Sequence, residues 1–237
     1  MINGPVFGAS NAKAFLKNLK LLAPTTDRGE GLKKVLSAVL RGIEKVVEAT
    51  GGESGTLKSL GGHPLTHILG ETFFTQVPVL YGPYIAKFQL APVSANLLAL
   101  KGQVLDLHDH PHGIRDAVVA FFVDNDAEWE LRVQLCTDLD TMPIEDASVA
   151  WPELQSPYVA VARITAPMQV TWDEGASPAV DDALSFSPWH GVVDHQPLGS
   201  VMRARQQAYA ASAQFRGSHN GCPMHQPRSI DEAMAPR

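Results

Sequence analysis

Three imidazoles alternate in His108-Asp109-His110-Pro111-His112. Alternating side chains share a face where the backbone is extended, and imidazoles converging in that way suit a metal ion. Pro111 and Gly113 argue for a loop instead, in which the same residues form a polar surface turn. A second concentration runs from Phe186-Ser187-Pro188-Trp189-His190 to His195-Gln196-Pro197-Leu198-Gly199, just ahead of a helix. Two imidazoles, an indole and prolines there either hold a planar apolar ligand or pack as structure. Glu145-Asp146 and Asp181-Asp182 are adjacent carboxylates that point apart and read as solvated turns. There is no G-x-S-x-G and no Walker loop, and Gly61-Gly62-His63 runs into Pro64 without opening a helix. Hydrolase and nucleotide-binding chemistry lose their support.

The elements that must position these residues follow from periodicity. Met1 to Phe7 reads as strand or loop, and Asn11 to about Ala23 as a helix with Phe15, Leu19 and Leu22 on one face, ended by Pro24. Leu32, Val35, Leu36, Val39, Leu40, Ile43, Val46 and Val47 predict an amphipathic helix over Gly31 to Ala49, followed by a glycine-rich connection from Gly51 to Gly62. From Thr72 aromatic and β-branched residues broken by Pro78 and Pro83 predict strands joined by tight turns, with Lys87 to Leu90 continuing one. Arg115 to Val123 fits a short helix or a strand. Trp129 to Leu135 alternates apolar residues with Glu, Arg and Gln, which predicts a strand with one wet face, and Tyr158 to Ile164 repeats the pattern. A last helix is expected from about Ser200 to Phe215, then a mobile tail over 217–237.

Composition bounds the partners. The 237 residues hold 19 Lys plus Arg against 25 Asp plus Glu, a net charge of −6, with 45% hydrophobic residues. That is a globular chain, without the basic stripe that nucleic acid or an anionic membrane requires. No run of 18 apolar residues predicts a transmembrane segment, and the start lacks a secretory pattern. Cys136 and Cys222 sit in no CxxC pattern, so a reducing, cytoplasmic location is expected.

Four segments in order resemble the catalase superfamily. Asn3-Gly4-Pro5-Val6-Phe7 is similar to its N-T-P-[IV]-F-F segment. Trp129 to Glu153 resembles its W-x(4)-Q-x-M-T strand, acidic loop and D-x(3)-V-W-P turn, and Ser156 to Ile164 the strand that follows. Leu184 to Gly199 matches the place and spacing of R-L-F-x-Y-x-D-T-x(2)-H-R-L-G. The small catalase-related proteins, with P-W-H-x-L-x-x-H-R-P-L-G-x-I-N-R-A-R, are the nearer likeness.

The resemblance implies an α+β fold, a catalase-like antiparallel β-barrel incomplete at its N-terminus with flanking helices, over residues 1–216. It implies haem b, a hydrogen peroxide or organic and lipid hydroperoxide substrate, and a homo-oligomer. It places Phe7 and Phe15 on the porphyrin's distal wall and Asn3, or Ile2 by strict count, at the distal asparagine. The proximal tyrosine position falls on Pro188 or Trp189, neither of which offers a phenolate, so His190 is the candidate iron ligand. His63 and His67 follow the N-x-P segment, whereas the family's distal histidine precedes it. Met1 is therefore expected to be an internal start, with an upstream segment carrying the distal side. A haem-free binding or scaffold protein derived from the same ancestors is the competing expectation.

Overall fold

A computed structural model describes residues 1–26, 65–175, 177, 184–221 and 229. The helix expected over Gly31 to Ala49, the glycine-rich connection after it, Asp181-Asp182 and almost all of the tail beyond Gly221 lie outside those residues. Helix α1 spans Ala12–Thr26. Asn11 starts it: its side-chain oxygen accepts the Ala14 N–H at 3.0 Å, which satisfies one of the donors a helix N-terminus leaves free.

Among the described residues five strands make one antiparallel sheet: β1 (Phe73–Phe74), β2 (Val79–Tyr81), β3 (Tyr84–Pro92), β4 (Ala127–Leu135) and β5 (Val159–Ala166). Their order is β1-β3-β4-β5, with β2 sharing β1's edge of β3. Gly82 takes a φ of 59° in the two-residue turn between β2 and β3, a conformation that side chains resist. The described strands form an open sheet, not a closed barrel. Two irregular segments cover one edge: Ile2 pairs with Phe74, and Pro197 with Val79. On the far side β5 leaves Val159, Val161 and Ile164 exposed.

The ambiguous run Arg115 to Val123 is helical, part of α3 (Gly113–Asp124), which follows the single turn α2 (Ala95–Leu98). Val118, Phe121 and Phe122, at helical spacing, pack with Leu97, Ala127 and Trp129 into one of two cores. The other core comprises Val77, Ala147, Val201 and Met202, with Phe7 and Trp189 against it. Its Val201 and Met202 belong to α4, which spans Ser200–Asn220 and so runs past Phe215 into the segment expected as tail.

The sheet face expected to be wet is partly dry. Lys87 and Gln134 face each other in register and are 2% and 1% exposed, because the loop of residues 143–156 lies over them. The Gln134 amide donates to the Trp151 and Ser156 carbonyls at 3.2 and 2.9 Å. Lys87 Nζ donates to the Val149 carbonyl at 3.3 Å and sits 4.9 Å from the Trp151 ring centroid.

Burial disfavours the Lys87 ammonium and lowers its pKa from the ordinary 10.5 to about 8. The unfolded chain therefore binds more protons than the folded one between those values, and stability rises with pH across that window. Below about 8 the cost is fully present, of order 3 kcal/mol. Lys87→Met is expected to be the more stable protein at pH 7 and to lose its advantage by pH 10. Urea unfolding midpoints of both proteins across that range check this; parallel pH profiles would contradict it.

Candidate functional site

The N-terminal segment and α4 face one another across the open edge of the sheet. The Phe7 N–H donates to the Ala147 carbonyl at 2.9 Å, and the Ala147 N–H to the Ser10 carbonyl at 2.8 Å, so residues 7–10 are laced to the 143–156 loop. The Ala12 N–H reaches Ser200 Oγ at 3.4 Å, which joins the start of α1 to the start of α4. Phe7 and Phe15 then stand with ring centroids 4.9 Å apart.

The same loop fixes α4. Glu145 accepts the Ser200 N–H at 2.9 Å and a bidentate pair of bonds from Arg203 at 2.9 and 3.0 Å. Hydrogen bonding to Arg203 first, and then its charge and the Ser200 amide, holds the Glu145 carboxyl below the usual range despite some desolvation. A carboxylate at a helix N-terminus also meets the positive end of the helix dipole. Glu145, which reads from sequence as a solvated turn acid, is thus the cap of α4. Asp146 instead turns to its own loop, accepting from Ser148 Oγ at 2.6 Å.

Between these walls lies a cavity of about 970 Å3. Ile2, Phe7, Phe15, Leu16 and Leu19 line one side, Phe74, Val77 and Val79 the sheet edge, and Val201, Met202, Ala204 and Ala208 the α4 side. Lys13, Thr75, Gln76, His195 and Arg205 are its polar residues. Thr75 Oγ1 is engaged by the Phe88 N–H at 2.7 Å, and the Gln76 amide donates to the Val6 carbonyl.

The structure brings some of the sequence candidates together and not others. Phe7 and Phe15 both line the cavity. Asn3 does not, although Ile2 beside it does. Trp189 packs against the neighbouring core, its indole N–H donating to the Met202 carbonyl at 3.3 Å. His190 is exposed and lies outside the lining. The imidazole at the cavity is that of His195, at the end of a single 3-10 turn, Val193–His195. Its ring stacks on Tyr81 at 5.7 Å and meets Phe88 edge-on at 6.0 Å. Both histidines are exposed, and the turn between them decides that His195 and not His190 borders the cavity.

His67 is buried elsewhere, 6.4 Å from the Phe121 ring, and burial holds its pKa below the ordinary value. His108, His110 and His112 lie in consecutive turns rather than on a strand, so alternation does not place them on one face. Among the described residues no group of three metal-ligating side chains converges. No described helix is long and apolar enough to cross a membrane.

The fold is catalase-like, matching part of the catalase structure. A fungal catalase superposes with a TM-score of 0.50 and 18% identity over 67% of this chain and 33% of its own. Catalase A from Saccharomyces cerevisiae gives 0.50 and 18% over 65% and 33%, and a bacterial catalase 0.58 and 13% over 96% and 45%. The chain therefore spans less than half the length of those proteins. No protein-family model and no curated protein sequence matches it.

A haem asks for a dry slot of several hundred Å3, flat apolar contacts and a ligand for iron. The cavity volume, the Phe7 and Phe15 rings and the His195 imidazole supply the space, the flat contacts and the ligand, while the cavity opens to solvent beside Leu16 and Leu19, 51% and 44% exposed. The residues present therefore fit the group.

Gly199 sets the angle at which α4 leaves this site. Its φ is 85°, a region that side chains rarely occupy, and a Cβ there would stand 2.9 Å from the Ile144 carbonyl oxygen. Gly199→Ala is expected to cost about 2 kcal/mol or more, measured by urea unfolding. A stability within about 0.5 kcal/mol of the parent, the range of a neutral surface change, would contradict the constraint.

Proposed function

We propose that this chain is a haem-binding, catalase-like oxidoreductase that acts on hydrogen peroxide or on organic and lipid hydroperoxides. The observation that carries the reading is the apolar cavity between Phe7, Phe15 and α4, with one imidazole in its wall, set in a catalase-like fold. Phe7 and Phe15 would give flat contact to the macrocycle and exclude water from its face. His195 would hold the iron as a neutral imidazole, its ring kept in place by Tyr81 and Phe88. This assigns to His195 the role that the catalase resemblance suggested for His190. The bound haem would supply the redox chemistry.

General-base assistance to proton movement is typically worth roughly 100-fold to 10,000-fold in rate. With His195 on the iron, no second imidazole remains among the described lining residues. Turnover of peroxide is then expected to be slow for a protein of this fold. A second reading, a haem-free binding or scaffold protein, is favoured by one observation: no tyrosine is found among the described lining residues.

Hemin titration followed in the visible spectrum separates the two. The haem reading expects a sharp Soret band that saturates near one equivalent, weakened about tenfold or more by Phe15→Ala, which removes an aromatic contact. His195→Ala is expected to shift the band and His190→Ala to leave it in place. A featureless titration leaves only the haem-free reading, and an unshifted band in His195→Ala removes that residue from the iron.

A further inference from the structure

The charge in the cavity wall is one-sided. The protein as a whole carries −6, yet the ionic side chains lining this cavity are Lys13 and Arg205, and no aspartate or glutamate is among the described lining residues. Arg205 is half-buried on α4. Its Nη2 donates to Tyr209 Oη at 2.5 Å and its Nη1 to Met202 Sδ at 3.2 Å, while the guanidinium lies 5.0 Å from the Tyr209 ring centroid. Both acceptors are neutral, and a thioether is a weak one. Among the described residues none brings a carboxylate to Arg205, whereas Arg132, Arg163 and Arg203 all pair with glutamates.

A guanidinium has five N–H groups in a planar fork, and two of Arg205's are engaged. Tyr209, one helical turn on, and Met202, nearly one turn back, fix the fork without neutralising it. A half-desolvated cation facing apolar walls lacks compensation until an anion arrives. The fork's geometry suits a carboxylate held by two parallel bonds.

We propose that the cavity takes a ligand combining a large apolar body with a carboxylate, and that Arg205 anchors the carboxylate. The chemistry is the same whether the acid is a porphyrin propionate or the head of a long-chain fatty acid. The anchor extends the haem proposal without depending on it.

The test compares each acid with its ester on the full chain: hemin against hemin dimethyl ester by absorbance, and cis-parinaric acid against its methyl ester by fluorescence. The parent protein is expected to prefer the acid by about tenfold or more in at least one pair, and Arg205→Gln to erase that preference while leaving ester affinity unchanged. A preference confined to the hemin pair identifies a propionate; one in the parinarate pair identifies a fatty acid. Equal affinity for acid and ester in both pairs, or a preference that survives Arg205→Gln, overturns the anchor. If all four bind without preference for the acids, haem binding stands and the anchor falls; if none of the four binds, both fall. Should Arg205→Gln lose ester binding through misfolding, Arg205→Lys decides, since retained charge must retain part of the preference.

Discussion

Two buried polar side chains hold the loop on which this structure depends. Gln134 and Lys87 reach out of adjacent strands to the carbonyls of residues 149, 151 and 156. From that anchored loop, Ala147 fixes the segment carrying Phe7, Glu145 caps α4, and the Ile144 carbonyl crowds Gly199. Both walls of the cavity hang from one stretch of irregular chain. Burying an amide and an ammonium is unfavourable unless their donors find acceptors. The amide finds two carbonyls, whereas the ammonium has a single hydrogen bond and the Trp151 face. The interaction that places the loop is therefore also a store of unfavourable energy, and it is Gln134 that supplies the better-satisfied half.

Sequence periodicity recovers the walls. The helices at α1 and α4 and the strands β4 and β5 follow from spacing, although α4 buries only Val201 and Met202 and β5 stays exposed along most of its length. Arg115 to Val123 stayed open between helix and strand because a run that short has no resolvable period; its packing on Leu97 and Ala127 decides it. Gln134 and Lys87 stand at positions that alternation marks as solvent-facing. What buries them is a loop later in the chain, which no local pattern announces. Three of the four segments resembling catalases mark the parts that meet in space: the Phe7 segment, β4 with its loop, and the chain leading into α4.

The polar groups at the cavity follow another rule. Regular elements contribute much of its apolar surface, through Phe15, Leu16, Leu19, Phe74, Val79 and Val201, while His195 comes from a single 3-10 turn and Gln76 from the break between β1 and β2. Spacing predicts which way a residue points only where the backbone repeats. Thus His190 and His195, five positions apart with no shared element, could not be told apart from sequence, whereas Phe7 and Phe15 could be placed by likeness to a known segment. Lys13 on α1 departs from this rule, and Arg205 is the exception that matters most, since Met202, Arg205 and Tyr209 lie at helical spacing on α4.

That exception separates recognition from chemistry in this site. His195 is held by ring contacts with the hairpin of β2 and β3, so its position depends on the sheet edge. Arg205 is held by its own helix, so its position depends on α4 alone. A small shift of α4 against the sheet would move the cation relative to the imidazole while leaving each with its local partners. Among the bonds that oppose such a shift are those of Glu145 to Ser200 and Arg203 and that of the Leu198 N–H to the Pro78 carbonyl, all at the start of α4. The distance between the group that would hold an acid and the group that would hold a metal thus depends in part on a carboxylate that touches neither.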